Sequence, residues 1–440
     1  MCDTIVATGD VTADGVTLFA KNSDREPNEA QQLVWLPAAD HAPGGVLQCT
    51  YIAIPQAAHT HAVLLSKPFW IWGAEMGVNE HGLAIGNEAV FTRLGYSKEP
   101  GLIGMDLLRL ALERAADARQ AIDLITSLLE TYGQGGNCGY QHTFHYHNSF
   151  LLADPGAAWV LETAGPHWAA KQVRGVYAIS NALSLDADWD LASPGLVETA
   201  LQRGWCRSRD AFSLRRCYSD RLYTTLSDAR CRRARTTALL QGQAGRITPE
   251  TMQAALRDHG ADGRPPQRGL LGATTCMHAS LGPVRGSQTT GSLVARLSGQ
   301  GPLAWATGTA APCTGLFKPF WLDAGLADQE PAPAGVYDPA TRFWRHERLH
   351  RAVLRDHGPR LALYRDERDA LEARFVQEAL ALADTPAEER RAYTCACLAE
   401  ADAATARWIE MVEQAPEPPR LAALPHRLAW RGWNKAAQMP

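Results

Sequence analysis

The chain has 440 residues, of which 46% are hydrophobic, so it is long enough to bury a substantial core. Its formal net charge of −4 gives no general reason to expect binding to nucleic acid or to an anionic membrane. No apolar run reaches the ~18 residues that a membrane span needs, and no basic segment followed by an apolar core opens the chain. Its ten cysteines are scattered without a CxxC pair, a usage typical of reduced thiols. These features predict a soluble cytoplasmic globular protein that binds neither nucleic acid nor membrane.

The first two residues carry the strongest chemical signal of the chain. Cys2 follows Met1 directly, and because the cysteine side chain is small, we expect methionine aminopeptidase to remove Met1. The new terminus would then carry a thiol nucleophile and a free α-amine, whose pKa near ~8 suits a base at neutral pH. Since a lone early cysteine is usually inert, its position by itself does not establish catalysis.

The next residues predict a β-hairpin that brings charges to this terminus. Asp14-Gly15 is a strong turn signal between two runs that alternate in polarity. A two-residue loop would set Asp24 opposite Ile5, and a four-residue loop would set it opposite Asp3. Either register leaves Lys21 and Asp24 close to the terminal thiol.

The hydrophobic pattern then alternates between strands and helical blocks. Predicted strands lie at 48–54, 62–66, 149–153, 158–162, 168–173, 176–180, 273–278, 289–297, 303–307 and 316–321, and two more flank a turn at 79–82. Predicted helices lie at 105–132 (two helices), over most of 196–241, from 248 onward, at 340–356, around 361–375 and at 386–413. Asp117 is the expected N-cap of the second helix and Gly133 its stop. The strands from 149 to 180 predict one antiparallel meander, and the tail beyond 415 predicts an extended surface segment.

Two groups of residues resemble metal or catalytic sites. His142, His145 and His147 alternate, but no carboxylate or cysteine stands at ligand spacing beside them, so a polar strand face is favoured over a metal site. Cys276 and His278 lie on the same face of a predicted strand, which allows contact between them. A buried core thiol is nevertheless favoured for Cys276, since free cysteine usually behaves as a small hydrophobe.

Two further features have alternative explanations. The segment 196–241 is dense in arginine but poor in aromatic residues, and the chain is acidic overall. This favours a solvated, ion-paired face over a nucleic-acid patch. Asn87 is a polar amide on an otherwise apolar strand face, where it would either satisfy a buried backbone group or serve the chemistry of a site.

Several ordered motifs occur together with Cys2. They are KNSDREPNE at 21–29, GVNEHGLAIGNE at 77–88, TCMH at 275–278, QTTGS at 288–292 and FWRHE at 343–347. In these motifs the chain resembles the secernins and the related cysteine dipeptidases of the C69 type. More distantly, it resembles the choloylglycine hydrolases and penicillin V acylases, which share a terminal nucleophile and carry Arg where this chain has Lys21.

The pattern of elements alone predicts the α+β class. The resemblance implies the four-layer αββα sandwich of N-terminal nucleophile hydrolases, with a helical C-terminal extension. A segment rich in Pro and Ala at 329–335 suggests where the sandwich ends. The expected organisation is a catalytic domain at 2–325, a linker at 326–339, and a helical extension with an irregular tail at 340–440.

The resemblance implies hydrolysis of an amide bond in a dipeptide or another small acylated amine, through a thioester acyl-enzyme on Cys2. It implies catalytic roles for Cys2, Asp24, Asn87 and Asn181, and supporting or substrate-binding roles for Lys21 and Arg232. In this scheme Asn87, with Asn181, donates to the oxyanion, while Asp24 and Lys21 orient and tune the terminal amine. Arg232 contributes to the charge balance, with Arg235 as the alternative. No metal and no other cofactor is required.

Two alternatives stay open at this point. The chain could be a secernin-like interaction or regulatory protein without catalysis, since secernins are associated with regulated secretion in animals. It could also be an amidase that acts on a non-peptide amide. The expected partners are a small peptide or amide substrate and methionine aminopeptidase, and an oligomer is compatible with the sequence.

Overall fold

A computed structural model describes residues 1–261, 263, 266, 272–280, 285–299, 301–326, 330–417 and 424–440. The strands are β1 (Cys2–Ala7), β2 (Thr17–Arg25), β3 (Gln31–Leu36), β4 (Ala39–Asp40), β5 (Val46–Gln48), β6 (Ala53–Pro55), β7 (His59–Thr60), β8 (Val63–Pro68), β9 (Met76–Asn79), β10 (Ala84–Val90), β11 (His147–Ala153), β12 (Ala158–Ala164), β13 (His167–Val173), β14 (Val176–Ile179), β15 (Leu191–Ala192), β16 (Gln288–Leu297), β17 (Leu303–Ala306) and β18 (Lys318–Trp321). The helices are α1 (Gly104–Arg114), α2 (Ala118–Tyr132), α3 (Leu196–Gln202), α4 (Leu214–Tyr218), α5 (Arg221–Leu226), α6 (Ala229–Gln241), α7 (Pro249–Leu256), α8 (Arg342–Val353), α9 (His357–Leu361), α10 (Arg365–Ala381), α11 (Ala387–Glu413) and α12 (Leu424–Ala436).

Two large antiparallel sheets organise the described part of the chain. One has six strands in the order β14-β1-β2-β16-β17-β18, and the other has eight in the order β15-β13-β12-β11-β10-β9-β8-β3. Apolar residues on both faces of β1 explain its position inside the molecule. Val6 belongs to the core between the two sheets, whereas Ile5 and Ala7 point to the opposite face of their sheet.

Helices cover the outer face of each sheet. Helices α1 and α2 pack on the eight-stranded sheet, where Leu108 and Ile122 share a core with Phe150. Helices α6, α7 and α10 pack on the six-stranded sheet, where Met252 and Val376 share a core with other apolar residues. The order of layers is therefore helix, sheet, sheet, helix, which confirms the predicted αββα architecture.

Local signals placed several helix ends correctly. The side chain of Asp117 accepts a hydrogen bond from the backbone N of Gln120 at the start of α2, and the helix ends at Gly133 with a φ of 68°. Thr248 caps α7 and is followed by Pro249 in the first turn. Such caps satisfy backbone groups that have no partner within the helix, which is why they can be recognised without knowledge of the fold.

The register of the first hairpin differs from both predicted registers. Cys2 pairs with Ser23, so Asp24 lies beyond the start of β1 and is opposite neither Asp3 nor Ile5. The loop between the strands spans residues 8–16, because part of it pairs elsewhere: Thr12 forms a bridge with Ile247. A long-range contact therefore overrides the local turn signal. The predicted proximity of Asp24 to the terminal thiol is nevertheless confirmed, since the Asp24 N lies 3.3 Å from the Cys2 Sγ.

Two predicted strand assignments are wrong because the strands pair with partners that the sequence pattern did not indicate. Segment 48–54 is not one strand; its ends belong to β5 and β6, which pair with each other across a turn. Strand β14 does not continue the meander of β11, β12 and β13. After Gly175, with a φ of 69°, the chain crosses to the other sheet and β14 pairs with β1. Apolar alternation indicates a strand but not which sheet receives it.

Two further assignments are wrong for other reasons. Residues 273–278 form no strand, since their backbone groups bond irregularly: the Cys276 N donates to the Asp258 O, and the Met277 O accepts from the Thr289 N. The tail contains α12, which buries His426 and Trp430, so it is not simply extended. The prolines in the tail made a helix unexpected, and tertiary packing supplies its stability.

The C-terminal helices contact the sandwich at many points. Helix α10 contributes to the outer core of the six-stranded sheet, and α11 packs on β18. Arg257, after α7, forms an ion pair with Glu372 of α10. The boundaries at 325 and 339 stay a prediction, and residues 327–329 of the expected linker lie outside the described residues. No helix within the described ranges is long and apolar enough to cross a membrane.

Candidate active site

A cavity of about 880 Å³ opens at one end of the sandwich. Four of the predicted site residues contribute to its lining, namely Cys2, Asp24, Asn87 and Asn181. They come from the start of β1, the end of β2, the middle of β10 and the residues just after β14. Because β1 and β2 are antiparallel, the start of one lies beside the end of the other, and β14 pairs along the free edge of β1. The fold thus collects residues that are far apart in sequence.

Cys2 lies at the base of this cavity with 5% of its surface exposed. Its Sγ lies 3.3 Å from the Asp24 N and 3.8 Å from an oxygen of Glu75. Burial raises the pKa of the Cys2 thiol to about 11, while the positive charge of Lys21 acts in the opposite direction. The thiol is therefore protonated at neutral pH and needs a base before it can attack.

Lys21 is fully buried beneath the cavity, where its positive charge offsets the negative charge of nearby carboxylates. Its Nζ donates to the Asn87 backbone O and lies 3.4 Å from Glu88 and 3.9 Å from Glu75. Burial by itself would lower its pKa, but the negative groups around it, which include Cys2 once ionised, raise the pKa overall. Its cationic form is thus strongly favoured, and its described contacts are to the Asn87 carbonyl and to the supporting carboxylates.

Asp24 is held by the neighbouring strand β16. Its Oδ1 accepts a hydrogen bond of 2.6 Å from the Thr289 Oγ1, and its Oδ2 is buried with no hydrogen-bond partner among the described residues. Burial raises the pKa of Asp24 to about 7, although the N-terminal amine acts in the opposite direction. The Met1 amine donates to the Asp24 backbone O at 3.0 Å. A carboxylate with an unused oxygen therefore lies next to the terminus.

Asn181 and Arg232 hold the backbone of Cys2. The Asn181 Oδ1 accepts from the Cys2 N at 2.9 Å and from the Arg232 Nη2 at 2.7 Å. The Arg232 Nη1 donates to the Cys2 O at 3.2 Å, and the same guanidinium forms a buried ion pair with Asp3. Arg235, the alternative, instead pairs with Asp258 on a partly exposed face. Of the two arginines, only Arg232 belongs to the site.

Asn87 has one weak partner and one unused acceptor. Its Nδ2 donates to the Asn148 Oδ1 at 3.2 Å and lies 3.4 Å from the sulfur of Met105. Its Oδ1 is buried without a hydrogen-bond partner among the described residues. Since a thioether is a weak acceptor, one amide N–H can turn to a better acceptor at low cost.

Sequence reasoning missed four residues that support this site. They are Asp3, Glu75, Glu88 and Thr289. Glu88 and Thr289 lie inside recognised motifs, where they received no role. Glu75 precedes a motif by two residues, and the available signal was a lone carboxylate next to an apolar strand. A buried charge requires a partner, but the sequence does not say which one.

Comparison with known proteins gives one family and several solved structures. The model of peptidase family C69 matches residues 1–252. A conjugated bile acid hydrolase from Clostridium perfringens is 13% identical at a TM-score of 0.44, over 73% of this chain and 93% of that one. A penicillin V acylase from Agrobacterium tumefaciens is 14% identical at a TM-score of 0.42, over 73% and 86%. An N-acylethanolamine-hydrolyzing acid amidase ortholog from Caenorhabditis elegans is 13% identical at a TM-score of 0.33, over 67% and 92%.

Proposed function

Because this chain belongs to peptidase family C69 and is therefore an amide-bond hydrolase, we propose that it cleaves dipeptides or other small acylated amines with Cys2 as its nucleophile. The observation that carries the proposal is the position of Cys2 at the base of a cavity, with its backbone held by Asn181 and Arg232. Such fixed geometry is what a nucleophile needs to attack a bound carbonyl.

Removal of Met1 by methionine aminopeptidase supplies the base in this proposal. The Cys2 nitrogen then becomes an α-amine that can bond to the same Asn181 oxygen that its amide contacts at 2.9 Å. A base is required because burial raises the pKa of the Cys2 thiol to about 11. The amine takes the thiol proton, directly or through one water, and is positioned to return it later.

The reaction proceeds through a thioester. The Cys2 thiolate attacks the carbonyl carbon, and the carbonyl π electrons move to oxygen to give a tetrahedral oxyanion. Asn87 donates an N–H to this oxygen in place of its weak contact to Met105, an effect usually worth ~10²–10³ in rate. The intermediate collapses, the C–N bond breaks, and the leaving amine takes the proton from the terminal ammonium. Water then attacks the thioester carbon and gives a proton to the same amine. The second tetrahedral intermediate collapses, the C–S bond breaks to release the acid, and the terminal ammonium returns the proton to the Cys2 thiolate.

The other site residues act as positioning groups in this scheme. Asn181 is assigned to orient the amine and not to donate to the oxyanion, because its Nδ2 already donates to the Ala89 O at 2.9 Å. Asp24 stabilises the ammonium form of the terminus. Lys21 neutralises the carboxylates below Cys2, and Arg232 neutralises Asp3.

One feature of the cavity supports a second substrate class. Phe91 stacks on Tyr223 with ring centroids 5.2 Å apart, and Phe144 lies beside them on the same wall. Aromatic walls favour an apolar group of the substrate. A non-peptide amide with an apolar acyl group is therefore the second candidate.

The first test is the intact mass of the purified protein before and after one equivalent of a thiol-reactive, dipeptide-like electrophile, followed by peptide mapping. We expect loss of Met1 and label on Cys2. Cys138 lines the same cavity, so Cys138→Ser is the matched control and should still be labelled, whereas Cys2→Ser should not. Normal turnover by protein that retains Met1 would contradict the amine as base.

Hydrolysis of a panel of substrates then distinguishes the two substrate classes from the non-catalytic alternative. Dipeptides and N-acyl amines with apolar acyl chains are assayed side by side with wild-type protein and Cys2→Ser. Hydrolysis of dipeptides supports the first substrate class, and hydrolysis restricted to the acyl amines supports the second. A protein that is processed and labelled but turns over neither would favour the secernin-like interaction protein.

A further inference from the structure

A second cluster of reactive side chains lies in the interior, outside the cavity that contains Cys2. It consists of His259, Cys276, His278 and Cys313. Each offers one ligand atom, and these four atoms all lie within 4.8 Å of one another. The residues come from the loop after α7, from the irregular segment before β16 and from the loop between β17 and β18. None of them contributes to the lining of the catalytic cavity.

The distances within this cluster match a tetrahedral metal site. The His278 Nε2 lies 3.1 Å from the His259 Nε2, 3.5 Å from the Cys276 Sγ and 3.3 Å from the Cys313 Sγ. Zinc bonds of about 2.3 Å to sulfur and about 2.0–2.1 Å to nitrogen place neighbouring ligands of a tetrahedron roughly 3.3–3.8 Å apart. These three separations thus need shifts of only a few tenths of an ångström around a central ion, and the other three are at most 4.8 Å.

Hydrogen bonding alone accounts poorly for this arrangement. The His278 Nε2 faces one nitrogen and two sulfur atoms, but it has either one N–H or one lone pair to offer. Cys276 and His278 are also almost completely buried, so they do not form a solvent-accessible nucleophile and base. A cation at the centre would satisfy all four groups at once.

A chain of hydrogen-bonding groups orients one of these ligands. The His278 Nδ1 lies 3.2 Å from the His350 Nε2, and the His350 Nδ1 lies 3.0 Å from an oxygen of Glu347. Arg351 in turn donates to the other oxygen of Glu347 at 2.5 Å. Metal-binding histidines typically use their second nitrogen in this way, through a partner that leads to a carboxylate. Here the Nε2 of His278 is left to face the cluster.

From these observations we propose that His259, Cys276, His278 and Cys313 bind one structural Zn²⁺ ion. Two thiolates and two imidazoles in a tetrahedron are the donor set that zinc prefers. Four protein ligands leave no open position, so the ion has a structural role. The sequence indicated only that Cys276 and His278 could contact each other, because the four ligands do not have the spacing of a zinc finger. The proposal therefore departs from the expectation that the protein holds no metal.

The proposed ion would also stabilise the strand that holds Asp24. Between its two ligands, Met277 bonds to Thr289 in both directions, with its O accepting from the Thr289 N at 2.9 Å and its N donating to the Thr289 Oγ1 at 3.0 Å. The same Thr289 hydroxyl donates to Asp24 at 2.6 Å. Metal binding would therefore help to fix the position of Thr289 and, through its hydroxyl, the side chain of Asp24.

The test is the metal content of the full-length protein, purified without a metal-binding tag and dialysed against a metal-free buffer. Mass spectrometry of the elements should find about one zinc per chain in the wild type. Cys276→Ala and Cys313→Ala should each lose most of it. Cys49→Ala is the matched control, since Cys49 is also buried but lies in the core under α1 and α2, and it should retain the zinc.

If the variants fail to fold, a second measurement on the wild-type protein still tests the proposal. A strong chelator should lower the unfolding temperature of the wild type, and one equivalent of Zn²⁺ should restore it. Replacement by Co²⁺ should add the visible absorption of a tetrahedral thiolate site. The proposal would be overturned if wild-type protein contains no zinc and its unfolding temperature changes with neither the chelator nor Zn²⁺. A Cys276–Cys313 disulfide in freshly purified protein would overturn it as well.

Discussion

Charge compensation around Cys2 defines the site at the scale of single residues. Lys21 lies against Glu75 and Glu88, and Arg232 lies against Asp3, all of them buried. A buried charge without a partner costs several kcal/mol, so each member of these pairs depends on the other. Cys2 therefore lies in a preorganised electrostatic environment, in which small changes of a partner should alter the reactivity of its thiol.

The two candidate arginines offer a matched pair of substitutions. Arg232→Lys keeps the positive charge, but a lysine cannot contact Cys2, Asp3 and Asn181 together as the guanidinium does. We expect kcat/KM to fall about ten- to hundred-fold because the Cys2 backbone loses its position. Arg235→Lys, on the partly exposed face, should stay within about twofold. Equal losses in both variants, measured on protein of native circular dichroism, would remove Arg232 from the site.

The pH dependence of stability tests the environment of Asp24. Burial raises its pKa to about 7, whereas in the unfolded chain an Asp titrates near ~3.9. The stability that this carboxyl contributes is thus present below about pH 4 and is lost as the pH rises through about 7. Asp24→Asn does not titrate, so its free energy of unfolding relative to wild type should increase from pH 4.5 to 7.5.

Urea unfolding at both pH values measures this difference. Asp384→Asn, on an exposed turn, supplies the control for a general effect of removing one carboxylate. A difference between Asp24→Asn and wild type that stays constant, or that falls with rising pH, would contradict the assigned environment.

At the scale of elements, the site depends on how closely the two sheets approach. Gly86 of β10 faces β1 and β2, and an added Cβ there would lie 2.5 Å from the Lys21 Cδ and 2.8 Å from the Thr4 Oγ1. The next residue is Asn87, whose side chain reaches the cavity. The absence of a side chain at Gly86 therefore lets β10 bring Asn87 to the end of β1.

Substitution of this glycine tests the close approach. Gly86→Ala should lower the free energy of unfolding by about 1–3 kcal/mol, because the new methyl group forces apart well-packed strands. It should also reduce kcat, since Asn87 moves with β10. Gly95→Ala is the control, because an added Cβ there meets nothing within 4 Å. Calorimetry together with steady-state kinetics measures both effects, and a Gly86→Ala protein as stable as wild type would contradict the packing argument.

At the scale of the whole molecule, the C-terminal helices contribute to the cavity that contains Cys2. Trp433 of α12 belongs to its lining, and its backbone O accepts a 3.0 Å hydrogen bond from Asn28 just after β2. Arg351 of α8 also donates to the Asn28 side chain at 2.9 Å. The region expected to be an extension thus helps to form the wall of the site.

Removal of the indole at this wall should affect binding more than chemistry. We expect Trp433→Ala to raise KM several-fold for substrates with an apolar acyl group, with kcat within about twofold, because the contact is the same in the ground state and the transition state. Lys435→Ala on the exposed side of the same helix is the control. Steady-state kinetics distinguish the two outcomes, and a fall in kcat without a change in KM would contradict a role in binding.

The family, the fold class and most elements could be predicted from the sequence. The C69 resemblance is confirmed by the family match over residues 1–252. Helix ends at Asp117 and Gly133 and the strands around residues 79–82 follow from local signals that act within a few residues. The cavity also brings together the four residues for which the resemblance implies catalytic roles, and those roles stay a proposal.

The tertiary structure decided everything that depends on contacts between distant segments. The register of the first hairpin follows from the pairing of Thr12 with Ile247, and the sheet of β14 follows from the free edge of β1. The partners of Lys21 were likewise invisible in the sequence, and of the cluster around His278 only a contact with Cys276 was considered possible from it. Local propensity and motif identity are properties of short segments, whereas register, charge pairing and ligand convergence are properties of surfaces that meet only after folding.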